Sequence, residues 1–305
     1  MEILITGGAG YVGSVLVPLL LEKGYRVKAL DNLMYNQNPF SNIFDDNFSF
    51  IEGSVTNEED LKKSLNGVDM ILHLAAIVGV PSCDRNPKLA LEVNVNGTIL
   101  LNKLRKEIPI IFISSDSIYG DLKGTVTEES SPCPINLYSK TKYEGEKIIK
   151  KSDNYIIFRP VSSFGSSPRM RIDLLINNFV YDSSKVKEVI IYEAESSRTF
   201  IHVKDFARGL LFGIENFDSM KNGIYNLGND DLVYSKKEII KLIKKYLDFK
   251  LIISKSQDEH NPRFFNASCK KIRNRGFVAT VSIEEGIREL IYFYKNISSK
   301  LENSN

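Results

Sequence analysis

The sequence predicts an α/β protein built on a doubly wound parallel sheet, with a smaller lobe formed by the C-terminal part of the chain. Three observations lead to this fold class. Short β-branched runs alternate with longer amphipathic stretches up to Pro160, a pattern typical of βα units. A glycine-rich turn directly follows the first run, and the alternation stops after Pro160. At 305 residues, with 43% hydrophobic and 26% charged side chains, the chain is long enough to bury a large core.

The elements of the first half follow in chain order. Strands are predicted at about residues 2–6, 25–30, 48–53, 68–75, 109–115 and 154–159. Helices are predicted to begin near Tyr11, Asn57, Pro87 and Asn136, the second of them at a Thr56–Glu59 capping box. Six such strands, joined by right-handed crossovers, form a doubly wound sheet.

The second lobe is predicted to start after Pro160, where Ser, Gly and Pro cluster in Ser162–Pro168. We therefore divide the chain into residues 1–160, to which some later elements return, and residues 161–305, which mainly form the lobe. Two further helices are predicted at the capping boxes that start at Ser235 and Ser282, each ahead of an apolar periodic run.

Composition excludes several classes of function. A formal charge of +2 is too small to gather nucleic acid or an anionic membrane, so neither is an expected partner. The three cysteines and three histidines are scattered, which argues against a disulfide framework and against a metal site. The sequence shows no targeting segment and no apolar run of about 18 residues, and we expect a cytoplasmic protein.

The glycine-rich turn Thr6–Gly13 predicts a dinucleotide site. Gly7, Gly10 and Gly13 allow a tight turn, close approach of backbone amides to a pyrophosphate, and packing of the following helix on the sheet. Asp31 comes 18 residues after Gly13, at the end of the second strand, where a carboxylate reaches the adenosine ribose. The alternatives are a purely structural glycine turn and an ordinary Asx residue at position 31.

Asp31 also favours NAD over NADP. A carboxylate accepts a hydrogen bond from the ribose 2′-hydroxyl and repels a 2′-phosphate, and no arginine follows in Asn32–Met34 to neutralise one.

A Tyr followed four residues later by Lys places a phenol and an ammonium on one helical face, and the ammonium favours the phenolate. The pattern is weak alone because it occurs five times, at Tyr119/Lys123, Tyr138/Lys142, Tyr143/Lys147, Tyr181/Lys185 and Tyr246/Lys250. Only Tyr138 begins a helix shortly after a buried strand that ends in hydroxyl groups, the run Ile110–Asp116. That strand end faces the ligand crevice of a doubly wound sheet.

At this point the sequence resembles the extended short-chain dehydrogenase/reductases, in the branch of nucleotide-sugar epimerases and dehydratases. The matching motifs span nearly the whole chain and are Thr6–Gly13, His73–Ala76, Asn94–Thr98, Ser114–Gly120, Tyr138 with Lys142, Arg159–Pro160, Arg198–Asp205 and Tyr225–Gly228. The resemblance implies a Rossmann domain that binds NAD in residues 1–160 and a lobe that binds the substrate in residues 161–305. It also implies a homodimer, paired through the helices near residues 87–107 and 136–152.

The family's catalytic roles fall on three residues. Tyr138 would remove the proton of a sugar hydroxyl, at C4, while Lys142 would lower the Tyr138 pKa and hold the nicotinamide ribose. Ser115 would hydrogen-bond the same substrate oxygen. The cofactor ligands implied by the resemblance are Gly7, Gly10, Tyr11, Val12, Gly13, Asp31, Asn32, Ser54, Val55, Leu74, Ala75, Ala76, Asn94, Tyr138 and Lys142.

Two departures from the family pattern bear on the reaction. The 4,6-dehydratases carry an Asp-Glu pair where this chain has Asp116-Ser117, so the base for dehydration is missing. Ser54 replaces the aspartate that usually contacts adenine, although its hydroxyl can still form one hydrogen bond.

The residues expected to bind substrate lie on both sides of Pro160. Arginines bind diphosphates through paired charge-assisted hydrogen bonds, and the family places such ligands at positions matching Arg198 and Arg263. The segment Ser166–Leu174, with Arg169 and Arg171, resembles a subgroup that includes GDP-heptose C4 dehydrogenases. Asp116, Ser117 and Cys83 complete the expected substrate contacts.

We therefore expect an NAD-dependent enzyme that oxidises C4 of a nucleotide-linked sugar, acting as a 4-epimerase or as a C4 dehydrogenase that yields a 4-keto sugar. A 4-ketoreductase, a 4,6-dehydratase and a non-catalytic NAD-binding regulator are the alternatives. The sequence does not identify the nucleotide or the sugar.

Overall fold

The computed structural model describes residues 1–254 and 264–296. In chain order the strands are β1 Glu2–Thr6, β2 Arg26–Asp31, β3 Phe48–Glu52, β4 Met70–His73, β5 Ile110–Ile113, β6 Lys123–Val126, β7 Tyr155–Pro160, β8 Ser162–Phe164, β9 Glu188–Tyr192, β10 Ser197–His202, β11 Gly223–Leu227, β12 Asn229–Ser235, β13 Lys250–Ser254 and β14 Phe264–Ala267. The α-helices are α1 Gly13–Glu22, α2 Glu58–Leu65, α3 Val80–Arg85, α4 Pro87–Leu91, α5 Thr98–Leu104, α6 Leu137–Ile149, α7 Leu175–Tyr181, α8 Val203–Glu215, α9 Phe217–Met220, α10 Lys236–Ile243, α11 Lys270–Arg273 and α12 Ile283–Asn296.

Three shorter helical segments complete the secondary structure of the described residues. A π-helical turn, Glu92–Gly97, joins α4 to α5, and a second, Asp182–Val186, extends α7. A 3₁₀ turn, Asp116–Tyr119, follows β5.

The centre of the molecule is a seven-stranded, wholly parallel sheet in the order β11-β7-β5-β4-β1-β2-β3. The chain runs outward from β1 to β2 and β3, then crosses back to β4 on the other side of β1. The strand order therefore reverses beside β1, and ligands of doubly wound folds bind in the crevice that this reversal opens at the carboxyl edge.

All six predicted central strands are present within a few residues of their expected bounds, which confirms the predicted fold class. The seventh strand, β11, was not predicted as a strand. It lies after α8 and α9 in the chain and adds to the edge of the sheet beside β7. Its short run follows Gly223 and contains Asn226, so composition alone does not mark it as a strand.

Local details differ from the sequence predictions in two places. The cap of α2 is Asn57, whose side chain accepts from the amides of Glu59 and Asp60, so the predicted Thr56 capping box is wrong. The segment after β4, where no helix was predicted, contains the short helix α3. The capping boxes at Ser235 and Ser282 are confirmed by their reciprocal hydrogen bonds to Glu238 and Glu285.

Apolar clusters cover both faces of the sheet. One lies between the sheet and α1 with α8, and includes Leu16, Ile111 and Phe206. The other lies against α2, α5 and α6, and a further cluster fills the lobe built around β8, β10 and β12. Along the described ranges, no helix combines the length and the apolar character needed to cross a bilayer.

A buried ion pair fixes α6 against the sheet. Arg159, near the end of β7, donates from Nε and Nη2 to the two carboxylate oxygens of Glu146, at 2.9 and 2.8 Å. Arg159 Nη1 also donates to the Tyr119 hydroxyl at 3.1 Å, and Tyr119 donates to Asn226 Oδ1 at 2.7 Å. The network joins α6, β7, β11 and the turn after β5.

Removing one partner of this pair should destabilise the fold strongly. Arg159→Met leaves the Glu146 carboxylate buried without its counter-charge, and we expect a loss of about 3 to 5 kcal/mol in the free energy of unfolding. Urea unfolding measures the change. The matched control is Lys147→Met, which breaks the exposed pair with Glu144 on the same helix and should cost at most about 1 kcal/mol. Equal losses in the two variants would contradict a special role for the buried pair.

Candidate active site

The glycine-rich loop packs as a dinucleotide cradle requires. A Cβ atom on Gly7, which has a φ of +71°, would come within 2.6 Å of the Ala75 amide nitrogen, and a Cβ on Gly13 would overlap the Gly8 carbonyl. A Cβ on Gly10 would meet one atom within 4 Å, the Gly7 carbonyl oxygen at 3.1 Å. Gly7 and Gly13 are therefore needed for close backbone packing, whereas Gly10 leaves space beside the loop.

The loop ends at an uncapped helix. Val12 occupies the N-cap of α1, and its apolar side chain cannot accept a hydrogen bond from the first-turn amides. The helix also has no acidic residue in its first turn. The positive end of the helix dipole suits a pyrophosphate, so the residues present fit NAD. The Tyr11 hydroxyl donates to the Gly165 carbonyl at 2.8 Å, so this side chain is bound inside the protein.

Asp31 lies beside the loop at the end of β2. Its carboxylate accepts from the amide of Ala9 at 3.0 Å and from that of Leu33 at 2.9 Å. Burial raises the pKa of Asp31, while these amides and the charge of Arg169 oppose the rise. Asp31 is thus both an Asx residue that shapes its own loop and a carboxylate at the expected ribose position. The Asn32 side chain accepts from the Met34 amide at 3.2 Å.

The end of β4 forms the opposite wall of the cradle. The Leu74 amide donates to the Thr6 carbonyl at 3.0 Å, and the Ala75 amide donates to the Thr6 hydroxyl at 3.4 Å. Ala76 follows in the same segment. His73 is buried below it, bonded to the Thr6 and Thr98 hydroxyls, and burial with the charge of Lys142 lowers its pKa to about 3. His73 is therefore a neutral structural residue.

Tyr138 and Ser115 meet at the carboxyl edge of the sheet. Tyr138 lies in the first turn of α6, and Ser115 follows β5; the Ser115 hydroxyl lies close enough to the phenol to lower its pKa. The Ser115 hydroxyl also accepts from the Ser117 amide at 3.1 Å. Helix α6 begins at a capping box between Asn136 and Ser139, which fixes the turn that carries the phenol.

The charge near Tyr138 differs from the sequence expectation. Burial raises the pKa of Tyr138 to about 12, and the largest opposing influences are the Ser115 hydroxyl and the charge of Arg171, not that of Lys142. Lys142 is itself buried, 4.5 Å above the centre of the Phe112 ring. Burial lowers the Lys142 pKa to about 8, against the raising effect of Glu146.

Two residues predicted to contact ligands are instead used inside the protein. The Asn94 amide nitrogen donates to the Ile77 carbonyl and the Thr141 hydroxyl, both at 3.0 Å, and its oxygen accepts from the Ile77 amide at 2.7 Å. Asn94 thus ties the loop after β4 to α6. Cys83 is fully buried on α3 in a small cluster against Tyr138, and its thiol donates to the Ile77 carbonyl. Both residues support the site from behind rather than lining it.

Four further predicted positions are Ser54 and Val55 after β3, expected to contact the cofactor, and Asp116 and Ser117 after β5, expected to contact the substrate. Ser54 bonds to the Thr56 hydroxyl at 2.8 Å, and Val55 packs against Gly97. Asp116 and Ser117 are buried in the 3₁₀ turn beside Ser115. Of the described buried side chains, the Ser117 hydroxyl is one that has no partner within the protein, which fits a substrate contact.

The four predicted arginines have different positions. Arg171 is largely buried and forms a two-point ion pair with Asp173. Although burial lowers the Arg171 pKa, the charge of Asp173 and this ion pair raise it overall. Arg169 points toward the cofactor side, with its guanidinium carbon 3.9 Å above the Tyr35 ring. Arg198 lies on β10 in the lobe, and Arg263 lies outside the described residues.

Sequence reasoning missed the residues that hold these groups. Glu146 was not singled out, although it follows Lys142 by one helical turn and its charge raises the Lys142 pKa against the effect of burial. Tyr35 and Thr141 carry no motif signal at all. Within the described ranges, no three His, Cys, Asp or Glu side chains are grouped closely enough to hold a metal ion.

Comparison with known proteins agrees with this geometry. Residues 3–228 match the model of the NAD dependent epimerase/dehydratase family. The chain belongs to the NAD-dependent epimerase/dehydratase family. NAD is therefore its cofactor, and the resemblance of the sequence to extended short-chain dehydrogenase/reductases is confirmed.

Relatives and solved structures cover nearly the whole chain. The chain is 30% identical to a UDP-glucose 4-epimerase of Halalkalibacterium halodurans over 80% of both proteins, and 27% identical to a mouse dTDP-D-glucose 4,6-dehydratase over 96% of this chain and 88% of that protein. Its structure is similar to that of a Bacillus cereus UDP-glucuronic acid 4-epimerase in complex with NAD, with a TM-score of 0.85 and 27% identity over 98% of this chain and all of the other. A Thermotoga maritima UDP-glucose 4-epimerase with UDP-glucose gives a TM-score of 0.86 at 25% identity, with the same coverage.

The buried position of Cys83 can be tested with a thiol reagent. Burial raises the pKa of Cys83 to about 11 and that of Cys269 well above its usual range, whereas Cys133 is exposed. Because thiolates are the reactive species, we expect one fast-reacting thiol in the native protein at pH 8 and three after unfolding. Cys133→Ser should remove the fast phase. A fast phase that survives in this variant would show that a second thiol is accessible.

Proposed function

We propose that this family member oxidises the C4 hydroxyl of a nucleotide-linked sugar, and that it acts as a 4-epimerase or as a C4 dehydrogenase. The observation that carries the proposal is the closeness of the Tyr138 phenol and the Ser115 hydroxyl at the carboxyl edge of the sheet. A phenol and a hydroxyl this close can both bind the oxygen of a substrate alcohol. The chain then has a proton acceptor beside the cofactor site.

The proton transfer follows from the chemistry of these groups. The chemistry that NAD supplies when bound is acceptance of a hydride from carbon. Tyr138 would accept the proton of the C4 hydroxyl, and Ser115 would hold the same oxygen in place. With its pKa near 12, the phenol keeps its proton at neutral pH in the protein alone, so activation needs added positive charge. Arg171 already acts on the phenol in the protein alone, so the added charge would have to come with the oxidised cofactor.

The residues beside Ser115 favour C4 oxidation over dehydration. Elimination of water across C5 and C6 needs a second base, and Asp116 is followed by Ser117 where the dehydratases carry a glutamate. The retained Tyr138 and Lys142 likewise argue against a non-catalytic NAD-binding regulator. We therefore attribute the similarity to a mouse dehydratase to the shared fold and cofactor site. The remaining alternative, a ketoreductase, would show a preference for NADPH.

A substrate screen tests the reaction and identifies the nucleotide. We would incubate the protein with UDP-, GDP- and dTDP-sugars in deuterated water and follow the sugar protons by NMR. Inversion at C4 with stoichiometric bound NAD and no NADH release supports the epimerase. Steady NADH release supports the dehydrogenase, whereas deuterium at C5 would overturn the proposal in favour of dehydration. The GDP-heptose subgroup remains a prediction that the GDP arm of this screen tests.

Tyr138→Phe should lower kcat by about 10² to 10⁴-fold, the usual contribution of a positioned acid or base, and leave NAD binding unchanged. The matched control is Tyr143→Phe. Tyr143 lies on the same helix and also precedes a lysine by four residues, with the Lys147 ammonium 4.7 Å from its ring centre. This control should retain wild-type turnover. Full activity in the Tyr138 variant would refute the role of the phenol.

We also propose a homodimer through the helical stretch Pro87–Leu104 and α6. Leu91 and Ile99 expose 47% and 49% of their surface on this stretch, so it offers apolar side chains that a partner subunit could cover. Sedimentation at micromolar concentration should give twice the 34.5 kDa chain mass. A monomer that persists at that concentration would contradict the proposal.

A further inference from the structure

Arg169 was predicted to bind the substrate, but the structure brings it to the cofactor side of the crevice. Its guanidinium carbon lies 3.9 Å from the centre of the Tyr35 ring, and Tyr35 belongs to the loop that follows Asp31. Arg169 is also close enough to influence the Asp31 carboxylate electrostatically. A side chain from the lobe therefore reaches across to the loop that follows Asp31.

The segment that carries Arg169 is fastened to the glycine-rich loop by hydrogen bonds. Ser167 Oγ donates to the Tyr11 carbonyl at 2.7 Å and lies 2.9 Å from Ser14 Oγ. The Arg169 amide donates to Ser14 Oγ at 3.4 Å, and the Tyr11 hydroxyl donates to the Gly165 carbonyl at 2.8 Å. These bonds place the Arg169 backbone over the first turn of α1, where the loop presents its amides to an anion.

The charge of Arg169 is not taken up by a protein carboxylate. Asp173 is bound at two points by Arg171, and Asp31 accepts from backbone amides. Arg169 Nη1 donates to the Met170 carbonyl at 3.2 Å, and in the described ranges no carboxylate lies within the 4.0 Å of an ion pair with it. The guanidinium is thus held by an aromatic ring and keeps donors for a further anion.

We propose that Arg169 and Tyr35 form a clamp on bound NAD, in which Arg169 binds the pyrophosphate and Tyr35 holds the guanidinium over it. The two halves of the clamp come from the β2 loop and from the lobe, so NAD can leave only when they separate. The proposal rests on NAD binding by the family and not on the proposed reaction at C4. It predicts slow release of NAD, which suits a reaction cycle that regenerates the cofactor in place.

The test compares nucleotide binding in the full-length protein freed of nucleotide. Arg169→Met would lose charge-assisted hydrogen bonds to the pyrophosphate, so we expect it to bind NAD and ADP about 10- to 100-fold more weakly and to release NAD faster. Adenosine lacks the pyrophosphate and should bind this variant as it binds the wild type. Tyr35→Leu should weaken NAD by only a few-fold, since the exposed ring orients the guanidinium without touching phosphate, and Tyr35→Phe should restore wild-type affinity. Calorimetry gives the affinities, and stopped-flow displacement gives the release rate.

Arg26→Met is the control, because Arg26 is an exposed arginine at the start of β2 and away from the loop. UDP binding reports on the substrate side in the same variants. Unchanged NAD affinity in Arg169→Met would overturn the clamp, whatever happens to UDP binding. If UDP binding fell in that case, Arg169 would be a substrate ligand, as the sequence predicted. Loss of NAD affinity with unchanged UDP binding supports the clamp, whatever the Tyr138 variants show about turnover.

Discussion

The hydrogen bonds between the glycine-rich loop and the segment after β8 are the contact on which the site depends. Ser167 Oγ bonds to the Tyr11 carbonyl, and the Tyr11 hydroxyl bonds to the Gly165 carbonyl, so each side donates to the other. Because these groups are buried, breaking either bond would leave a polar atom unsatisfied. The lobe is thereby held against the cofactor loop, with Arg169 on the Tyr35 ring and Arg171 near Tyr138.

A second constraint holds the catalytic side. Helix α6 carries Tyr138 and Lys142 on one face, and Glu146, one turn further, is fixed by two hydrogen bonds from Arg159. The helix therefore cannot rotate without breaking a buried ion pair. Asn94 adds a tie from the loop after β4 to Thr141 on the same helix. Rigid elements thus position the phenol, as precise proton transfer requires.

The sequence was informative where one local pattern carries the chemistry. At the turn Thr6–Gly13, Gly7 and Gly13 pack too closely against backbone for a side chain, so the glycine spacing, the flanking strand and helix, and Asp31 together predicted a dinucleotide site. The position of Tyr138 followed from its place after a hydroxyl-ended strand. Sequence could not pair Arg169 with Tyr35, since no periodicity links two loops far apart in the chain. It also could not show that Asn94 and Cys83 face inward, because a motif gives residue identity and not the direction of a side chain.

The electrostatics of the site make activation conditional. Burial raises the pKa of Tyr138 and lowers that of Lys142, so burial disfavours the charged form of each group. A phenol kept neutral in this way does not act as a base toward chance alcohols or water. Positive charge brought by an oxidised cofactor would shift the phenol toward its phenolate, and reduction of that cofactor would remove the charge again. Under the proposed role of Tyr138, the burial that makes this phenol a poor base alone would tie its basicity to positive charge that the protein itself does not supply.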